Sequence, residues 1–520
     1  MPAGINEAFE TTFKLIFGEC NVKLEELEDY LSKWHYPLIK KKSAISGKDV
    51  LISSLMCKKN ARFISSDEIE FDKKFTLDIN SIKDIDSIVE AIQDRVYYAG
   101  NKTFGNASFI YESDNCTDCN YVYKSHNIFS AKYIGNSIYL RHGNEYAFGA
   151  SFSLRCRYVI KVSYADNLTR CFETYMSANC SDLFFCYNCN DCQHSMFSFN
   201  QRSKRYCIGN LELPKDRYFE LRKKLIEESR NYIEKNKKFY SMFSMPPLEE
   251  EAGMLMEKPR SLQTTYKGDL TPINNAFESA SKVIFGQEIG LPDEYEEFLC
   301  ERIKKVKTIK SVFGKEVHYN PISFFEEIPK DRIVGRYEVE EVSKLNIRVD
   351  NEDSLERIMK KISKIALYQV DMWEGNNQNI IKSSVIDHCV NVYYVGDCAF
   401  GKNCAYCTLA VETDSVFGSF RASYSKFCIR CENSVNLTAC FEMDSCTNCA
   451  NSMFCHNCEN LDNCMFCFNT KSKRYAIGNV EIGREKYMEI RERILAEIVR
   501  KLTKDKKLDI DIYKLGERRG

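Results

Sequence analysis

The chain lacks a long apolar run, an excess of charge of either sign and a leader-like start. No stretch approaches the roughly 18 consecutive apolar residues that a membrane-spanning helix requires. The first residues have no basic head followed by an apolar core, so we expect a cytoplasmic protein without membrane contact. With 73 basic and 74 acidic side chains, no global field would attract nucleic acid or a lipid surface. Any such contact would depend on local patches.

Cysteine is abundant instead, with 25 residues in a chain of 520. An odd number of cysteines in a reducing compartment argues against a disulfide framework and favours buried thiols, metal ligands or both. A content of 44% hydrophobic and 28% charged residues is that of a folded protein. At this length we expect two or more packed domains.

The sequence repeats itself over long distances, which predicts a tandem duplication of one module of about 240 residues. Residues 5–10 return as 273–278, residues 167–173 as 436–442, and residues 203–210 as 472–479. The predicted divisions are a helical or mixed segment at 1–98, a solenoid with its capping helix at 99–240, a linker at 241–268, a second mixed segment at 269–368, and a second solenoid with its cap at 369–520.

Helical periodicity recurs at matching places in the two copies. The apolar positions of the last helix in each copy recur at i, i+3 and i+7, as expected for a helix that covers the open end of a solenoid. The predicted helical segments are 5–33 and 273–304, the short helices 79–94 and 353–367, and the capping helices 215–237 and 484–504.

Cysteines recur at intervals of nine residues in the second half of each copy, for example at Cys431, Cys440 and Cys449. No α-helix has this period, whereas a short strand followed by a turn does. Pairs such as Asn448-Cys449 suggest a corner residue followed by a core residue. The fold class predicted is therefore α+β with repeats: two tandem modules, each a β-solenoid (β-helix) of about 18 residues per coil flanked by N-terminal and C-terminal helices.

These motifs resemble those of a family of Cys-rich β-solenoid proteins of archaea and candidate-phylum bacteria. The resemblance rests on the Asn/Asp-Cys pairs, on Cys-Phe-Glu at 171–173 and 440–442, and on Arg-Tyr-x-Ile-Gly-Asn at 205–210 and 474–479. It covers about half of each copy. It implies the solenoid fold and brings no established activity.

Metal binding is the sharpest chemical alternative, because Cys-x-x-Cys pairs are typical zinc ligands. If a metal is present, the candidate ligands are Cys186, Cys189, Cys455 and Cys458. Aligned cysteines, however, exchange between copies for Ser, Ala and Leu, as Cys464 does for Ser195. We therefore favour packed thiols and no resident cofactor, with zinc possible and a zinc or iron–sulfur redox protein as the alternative function.

No catalytic residue is predicted, and the chain is not expected to be an enzyme. Glu173 and Glu442 occupy equivalent positions, but a solvated or corner-bonded carboxylate is the simpler interpretation, and no partner acid or base is evident.

Binding is better supported, because a basic and aromatic cluster recurs once in each copy and suits phosphate contact and base stacking. We predict a scaffold whose two solenoids engage a large assembly at two places. The leading hypothesis is a ribosome- or RNA-associated factor that bridges or blocks sites, of the translation-inhibition or hibernation type. The predicted partner-binding residues are Arg202, Lys204, Arg205, Tyr206, Lys471, Lys473, Arg474 and Tyr475.

Overall fold

The computed structural model describes residues 3–54, 56–58, 60–140, 143–151, 159–163, 170–175, 184–245 and 268–516. The fold is α+β, as predicted, with short parallel strands stacked into solenoids and helices packed against their sides. We call the described coils between Thr103 and Ile208 the first solenoid and the stack from Met372 to Ile477 the second solenoid. Within the described residues, no helix is long and apolar enough to cross a membrane.

The α-helices match the predicted positions, but several are shorter. The opening helix ends at Phe17 because Gly18 takes a left-handed conformation (φ 88°). Both capping helices have the predicted extent to within two residues, and each buries a tyrosine of its first turn, Tyr218 or Tyr487. The helices are α1 (Ala3–Phe17), α2 (Glu28–Leu31), α3 (Ile85–Ala91), α4 (Lys215–Asn236), α5 (Thr271–Phe285), α6 (Glu296–Cys300), α7 (Val339–Val342), α8 (Leu355–Ile362) and α9 (Arg484–Asp505).

The strands fall into an N-terminal half and a C-terminal half. The first are β1 (Ile39–Lys42), β2 (Asp49–Ile52), β3 (Phe63–Ser65), β4 (Tyr98–Gly100), β5 (Thr103–Phe104), β6 (Ser108–Tyr111), β7 (Asp114–Tyr123), β8 (His126–Gly135), β9 (Asn144–Ser151), β10 (Val159–Ser163), β11 (Gln193–Met196), β12 (Arg205–Ile208) and β13 (Leu211–Glu212).

The second half begins with two short sheets and continues as the second solenoid. Its strands are β14 (Lys307–Lys310), β15 (Glu316–Tyr319), β16 (Ile333–Val334), β17 (Tyr368–Gln369), β18 (Met372–Glu374), β19 (Gln378–Ile381), β20 (Val385–Asp387), β21 (Val390–Tyr393), β22 (Asp397–Ala399), β23 (Lys402–Ala405), β24 (Ala410–Val411), β25 (Asp414–Phe417), β26 (Phe420–Ser423), β27 (Lys426–Ile429), β28 (Glu432–Val435), β29 (Thr438–Asp444), β30 (Met453–Glu459), β31 (Asp462–Met465), β32 (Phe468–Lys471), β33 (Arg474–Ile477) and β34 (Val480–Glu481).

A solenoid coil contains 12 residues, so the predicted 18 is wrong. Lys402 pairs with Asp414, and Asp414 with Lys426, in parallel register. Some coils have an extra residue: Thr103 pairs with Cys116 and Ile134 with Ala147 in the first solenoid, and Met372 pairs with Val385 in the second. Positive φ recurs at every third position through most of each stack, which divides a coil into four sides of three residues. Cysteines nine residues apart are therefore separated by three of the four sides of a coil, and they lie in adjacent coils on neighbouring sides.

The corner residues are those with left-handed backbone, and asparagine tolerates this conformation well. The predicted corner-plus-core pairs have it at Asn115 (φ 57°), Asn448 (55°) and Asn457 (51°), whereas Asp397 has no positive φ. The predicted pair at 179–180 lies outside the described residues. A glycine occupies the corner at Gly418 (φ 60°), whereas in Phe400-Gly401 the corner residue is the phenylalanine (φ 54°).

The interior of a coil is narrow, and small hydrogen-bonding side chains fill much of it. The sulfur of Cys446 lies within hydrogen-bonding distance of the carbonyl oxygens of Asp444 (3.3 Å) and Cys455 (3.4 Å). The Ser434 hydroxyl donates to the Glu432 carbonyl (2.6 Å) and accepts from the Cys446 N–H (3.1 Å). Cysteine and serine therefore satisfy the same backbone groups, which explains why they replace one another between the aligned halves.

In the last coil of each solenoid, a lysine aligns with an inward-facing residue of the coil before it. Lys204 follows Cys192 by one coil, and Lys473 follows Leu461 by one coil. Another coil stacked above would bury an ammonium group without a partner, which is costly. The capping helices α4 and α9 pack against the last strands instead.

One long helix covers one side of each solenoid through equivalent aromatic contacts. The ring of Phe9 on α1 meets Phe148 at 5.4 Å, and Phe277 on α5 meets Phe417 at 4.9 Å, both edge to face. Edge-to-face pairs of this kind stabilise beyond the area they bury.

The halves of the chain exchange their middle segments. Residues 49–99 pack against the second solenoid, where the Asn469 side chain donates to the Tyr97 carbonyl (2.7 Å). Residues 317–370 pack against the first solenoid, where Asn200 donates to the Leu367 carbonyl (2.8 Å). Glu497 of α9 accepts from the Ile85 N–H (3.0 Å) at the start of α3. Each half therefore buries a large part of its apolar surface in the other.

We predict that Asn448→Val lowers the free energy of unfolding by about 1–2 kcal/mol, because a β-branched residue is strained in left-handed backbone. Asn448→Gly removes the side chain without that strain and should cost less. Urea unfolding of both variants measures the difference. An equal loss in both would contradict the corner assignment.

We also predict that cleavage of the chain between residues 246 and 267 leaves a single particle, because the exchanged segments hold the halves together. A protease site introduced there and cut should give two fragments on a denaturing gel and one peak at the uncut position in native size-exclusion chromatography. Two separate native peaks would show that the exchanged contacts do not hold the halves.

Candidate functional site

The predicted basic cluster occupies the last coil of each solenoid and is exposed. Arg202, Lys204 and Arg205 are exposed at the end of the first solenoid. At the end of the second, Lys471 and Arg474 are exposed, and Lys473 is half-buried. The structure thus brings the basic residues of each cluster together at the capped end of its own stack.

Some of this charge is already paired. Lys204 lies 3.7 Å from Glu212, Arg474 lies 3.2 Å from Asp462, and the ammonium of Lys471 lies 4.5 Å above the Phe71 ring. Exposed pairs of this kind are worth only ~0–1 kcal/mol. An anionic partner could therefore displace them at low cost.

The two aromatic members of the clusters are half-buried under the capping helices. Tyr206 stacks on His194 at 5.5 Å and meets Tyr218 of α4 at 5.7 Å. Tyr475 meets Tyr487 of α9 at 5.8 Å. These tyrosines therefore hold the capping helices in place. Only the exposed part of each ring is available for base stacking.

The candidate metal ligands Cys186, Cys189, Cys455 and Cys458 lie inside the solenoids and are buried. Burial raises the pKa of the Cys189, Cys455 and Cys458 thiols well above the usual range, whereas metal binding requires thiolates. Each thiol is also close to a backbone carbonyl, as Cys455 is to that of Met453 (3.3 Å). In the described part of the chain, no group of three or more ligating side chains has the arrangement of a metal site.

Glu173 and Glu442 lie at corners, but neither is solvated: both are completely buried. The expectation that no partner lies nearby is also wrong. Glu173 accepts from the Lys161 ammonium (3.2 Å) and from the hydroxyl of Tyr30 (3.1 Å), and burial lowers the pKa of Lys161 to about 8. Glu442 pairs with Arg302 and with Arg430 (2.5 Å). These carboxylates hold buried cations in place.

Sequence reasoning missed a pocket between the two solenoids. It is a cleft that opens to solvent, with about 630 Å³ of empty space when the open solvent at its mouth is included. The first half contributes Tyr36 and Tyr139, and the second contributes Arg302, Phe420 and Glu432. Pockets with apolar walls and a few polar groups are the usual sites of small-molecule binding. No local motif could reveal this one, because its walls are up to about 400 residues apart in the chain.

A buried ionic network forms the floor of this pocket. Arg302 donates to Glu432 (3.2 Å), and the Tyr513 hydroxyl donates to the other oxygen of the same carboxylate (2.9 Å). Burial raises the pKa of Glu432 to about 7, with Asp444 and Glu442 adding to the effect of burial and Arg302 opposing it. A carboxyl of this kind changes charge near neutral pH.

His456 and Asp444 look like part of a catalytic triad but are fully used by the fold. Nδ1 of His456 lies 2.7 Å from Asp444, and Nε2 accepts from the Ala99 N–H at 3.0 Å. The ring proton therefore lies on Nδ1, as assigned from its hydrogen bonds. A general base needs a ring nitrogen facing a substrate, and both nitrogens are occupied here.

Comparisons with known proteins gave no match: no family model, no curated protein and no solved structure matches the chain. The resemblance to Cys-rich β-solenoid proteins therefore stays a prediction.

We predict that Glu432 makes the protein less stable as the pH rises from about 4.5 to about 7. The folded-state pKa lies above the unfolded one, so the folded chain binds the extra proton, and this stabilisation is lost as the pH rises through 7. The free energy of unfolding should fall by roughly 2–3 kcal/mol over this pH range. Glu432→Gln should remove this slope in urea unfolding across that pH range.

Glu459→Gln is the matched control, because Glu459 is an exposed carboxylate on the same solenoid. It should keep the wild-type pH dependence. If Glu432→Gln keeps it as well, the carboxyl of Glu432 is not responsible.

Proposed function

We propose that this protein is a non-enzymatic, cytoplasmic binding scaffold made of two tandem modules that engage a large RNA-containing assembly, such as the ribosome, at two places. The observation that carries the proposal is the exposed basic cluster at the last coil of both solenoids, at Arg202–Arg205 and Lys471–Arg474. A partner that contacts both clusters would gain affinity through effective concentration.

Equivalent contacts in the two halves support the duplication. Glu228 of α4 accepts from the Leu355 N–H at the start of α8, as Glu497 of α9 does from the Ile85 N–H at the start of α3. Asn200 and Asn469 likewise contact the carbonyls of Leu367 and Tyr97. The aligned residues differ by 269 or 270 positions throughout. One module repeated twice would produce this pattern.

The chemistry of the buried groups favours binding over catalysis. Burial raises the pKa of many solenoid thiols, as at Cys189 and Cys455, so they are poor nucleophiles. His456 uses both ring nitrogens for structure. The exposed basic side chains, by contrast, suit phosphate oxygens.

Charge reversal of both clusters tests the proposal. The variant carries Glu at positions 202, 204, 205, 471, 473 and 474. Each lost phosphate contact should reduce the magnitude of the slope of log affinity against log salt concentration by ~0.7–0.9. We expect at least about tenfold weaker recovery of an RNA-containing assembly in native pull-downs. Salt titration and RNase treatment then identify the electrostatic and RNA-dependent part.

The control variant reverses three exposed lysines outside the clusters, Lys14→Glu, Lys282→Glu and Lys360→Glu, which all lie on helices. It should retain the partner. Loss of the partner in both variants would indicate a general charge effect, and retention in both would refute the role of the basic clusters.

A further inference from the structure

Three aromatic rings form a corner in the pocket between the solenoids. Tyr36 meets Tyr139 at 6.2 Å and 73°, and it meets Phe420 at 6.5 Å and 88°. Tyr139 and Phe420 meet at 6.4 Å and 75°. The three rings are thus nearly perpendicular to one another. All three rings line the pocket, and aromatic rings gathered at a pocket are the elements that recognise quaternary ammonium ions.

One of the three rings, Tyr139, already contacts a cation. The guanidinium of Arg421 lies 4.8 Å from the Tyr139 ring centroid and is held by the side chain and carbonyl of Asn127. Arg421 is buried and does not line the pocket. Tyr139 therefore binds one buried cation in the folded protein and also lines the pocket.

A carboxylate lies next to the ring corner. Glu432 pairs with Phe420 in the parallel register of β26 and β28, so it is one coil away, about 4.8 Å along the stack. Its two oxygens accept from Arg302 and Tyr513. It is 3% exposed and lines the same pocket.

The ionic network around Glu432 has an excess of negative charge. Arg302 contacts three carboxylates, and Arg430 contacts two. His456 carries a single ring proton, and Lys514 contacts Asp511 and Glu301. The network thus contains the cations Arg302, Arg430 and Lys514 and the carboxylates Glu301, Glu442, Asp444 and Asp511, with Glu432 adding a fifth negative charge as the pH rises through its pKa of about 7. A bound cation would reduce this excess, whereas a bound anion would increase it.

The remaining walls suit a small organic molecule. Met56 and Ile322 are apolar. The Ser54 hydroxyl is buried and has no oxygen or nitrogen partner among the described residues, with the Cys57 thiol as its polar neighbour. Lys304 also lines the pocket, but its ammonium is exposed and pairs with Glu326 at 2.7 Å.

We propose that this pocket binds a small methylated ammonium compound, with the cationic head at the corner of Tyr36, Tyr139 and Phe420 beside Glu432. A polar group on the ligand would reach Ser54. A methylated ammonium fits better than a primary amine because ring faces favour a cation that needs no hydrogen bonds, and both Glu432 oxygens already accept from Arg302 and Tyr513. This site is separate from the basic clusters at the solenoid ends, and the proposal does not depend on the RNA-binding role.

Calorimetric titration of the full chain with choline tests the proposal, and 3,3-dimethyl-1-butanol serves as the matched neutral probe of the same shape. Choline should bind at least about tenfold more tightly than the neutral alcohol, because only choline gains the cation–π and carboxylate terms. Equal affinity, or no binding of choline, would overturn the proposal. Tighter binding of an anion such as AMP would overturn it as well.

Variants separate the contributions of the wall residues. Glu432→Gln and Tyr36→Leu should each weaken choline binding about tenfold, whereas Tyr36→Phe keeps a ring and should bind normally. Lys304→Met removes a like charge and should bind choline as well as the wild type or better. Circular dichroism checks that each variant is folded. Unchanged choline affinity in both Glu432→Gln and Tyr36→Leu would exclude this pocket as the site.

Discussion

The narrow 12-residue coil is the constraint on which the rest of the structure depends. With three residues per side, the chain must turn at every third position, so most corners need left-handed backbone. The inward position that follows each corner is often filled by a small side chain, and thiols and hydroxyls there also bind the carbonyl just before the corner, as Cys446 and Ser434 do. The abundance of cysteine and asparagine in this sequence therefore has one physical cause.

Flat outer sides are the second consequence of this geometry. The long helices α1 and α5 cover one side of each solenoid, and the two solenoids with their exchanged middle segments cover another. Outward residues such as Glu442 thereby become buried and need partners from distant parts of the chain, such as Arg302. The pocket beside Arg302 and Glu432 lies where these covering parts meet.

Features set by neighbouring residues could be predicted well. The Asn-Cys pairs gave the corners, and the 3.6-residue periodicity gave α4 and α9 almost to the residue. The coil length was predicted wrongly because the nine-residue cysteine spacing has two explanations. It fits a strand followed by a turn, and it fits equally well a 12-residue coil in which the second cysteine lies one side short of a full coil. The opening helix was predicted too long because Gly18 ends it while the apolar pattern continues.

The sequence by itself determined the solenoid, its corners, its capped ends and the exposed basic clusters at Arg202–Arg205 and Lys471–Arg474. These depend on backbone preferences and on spacing along the chain, which local patterns record. Only the tertiary structure decided that the middle segments exchange between halves, that Glu173 and Glu442 are buried with cations, and that Tyr36, Tyr139 and Phe420 meet at one pocket. Such contacts join residues hundreds of positions apart, and their energy depends on burial that no local pattern encodes.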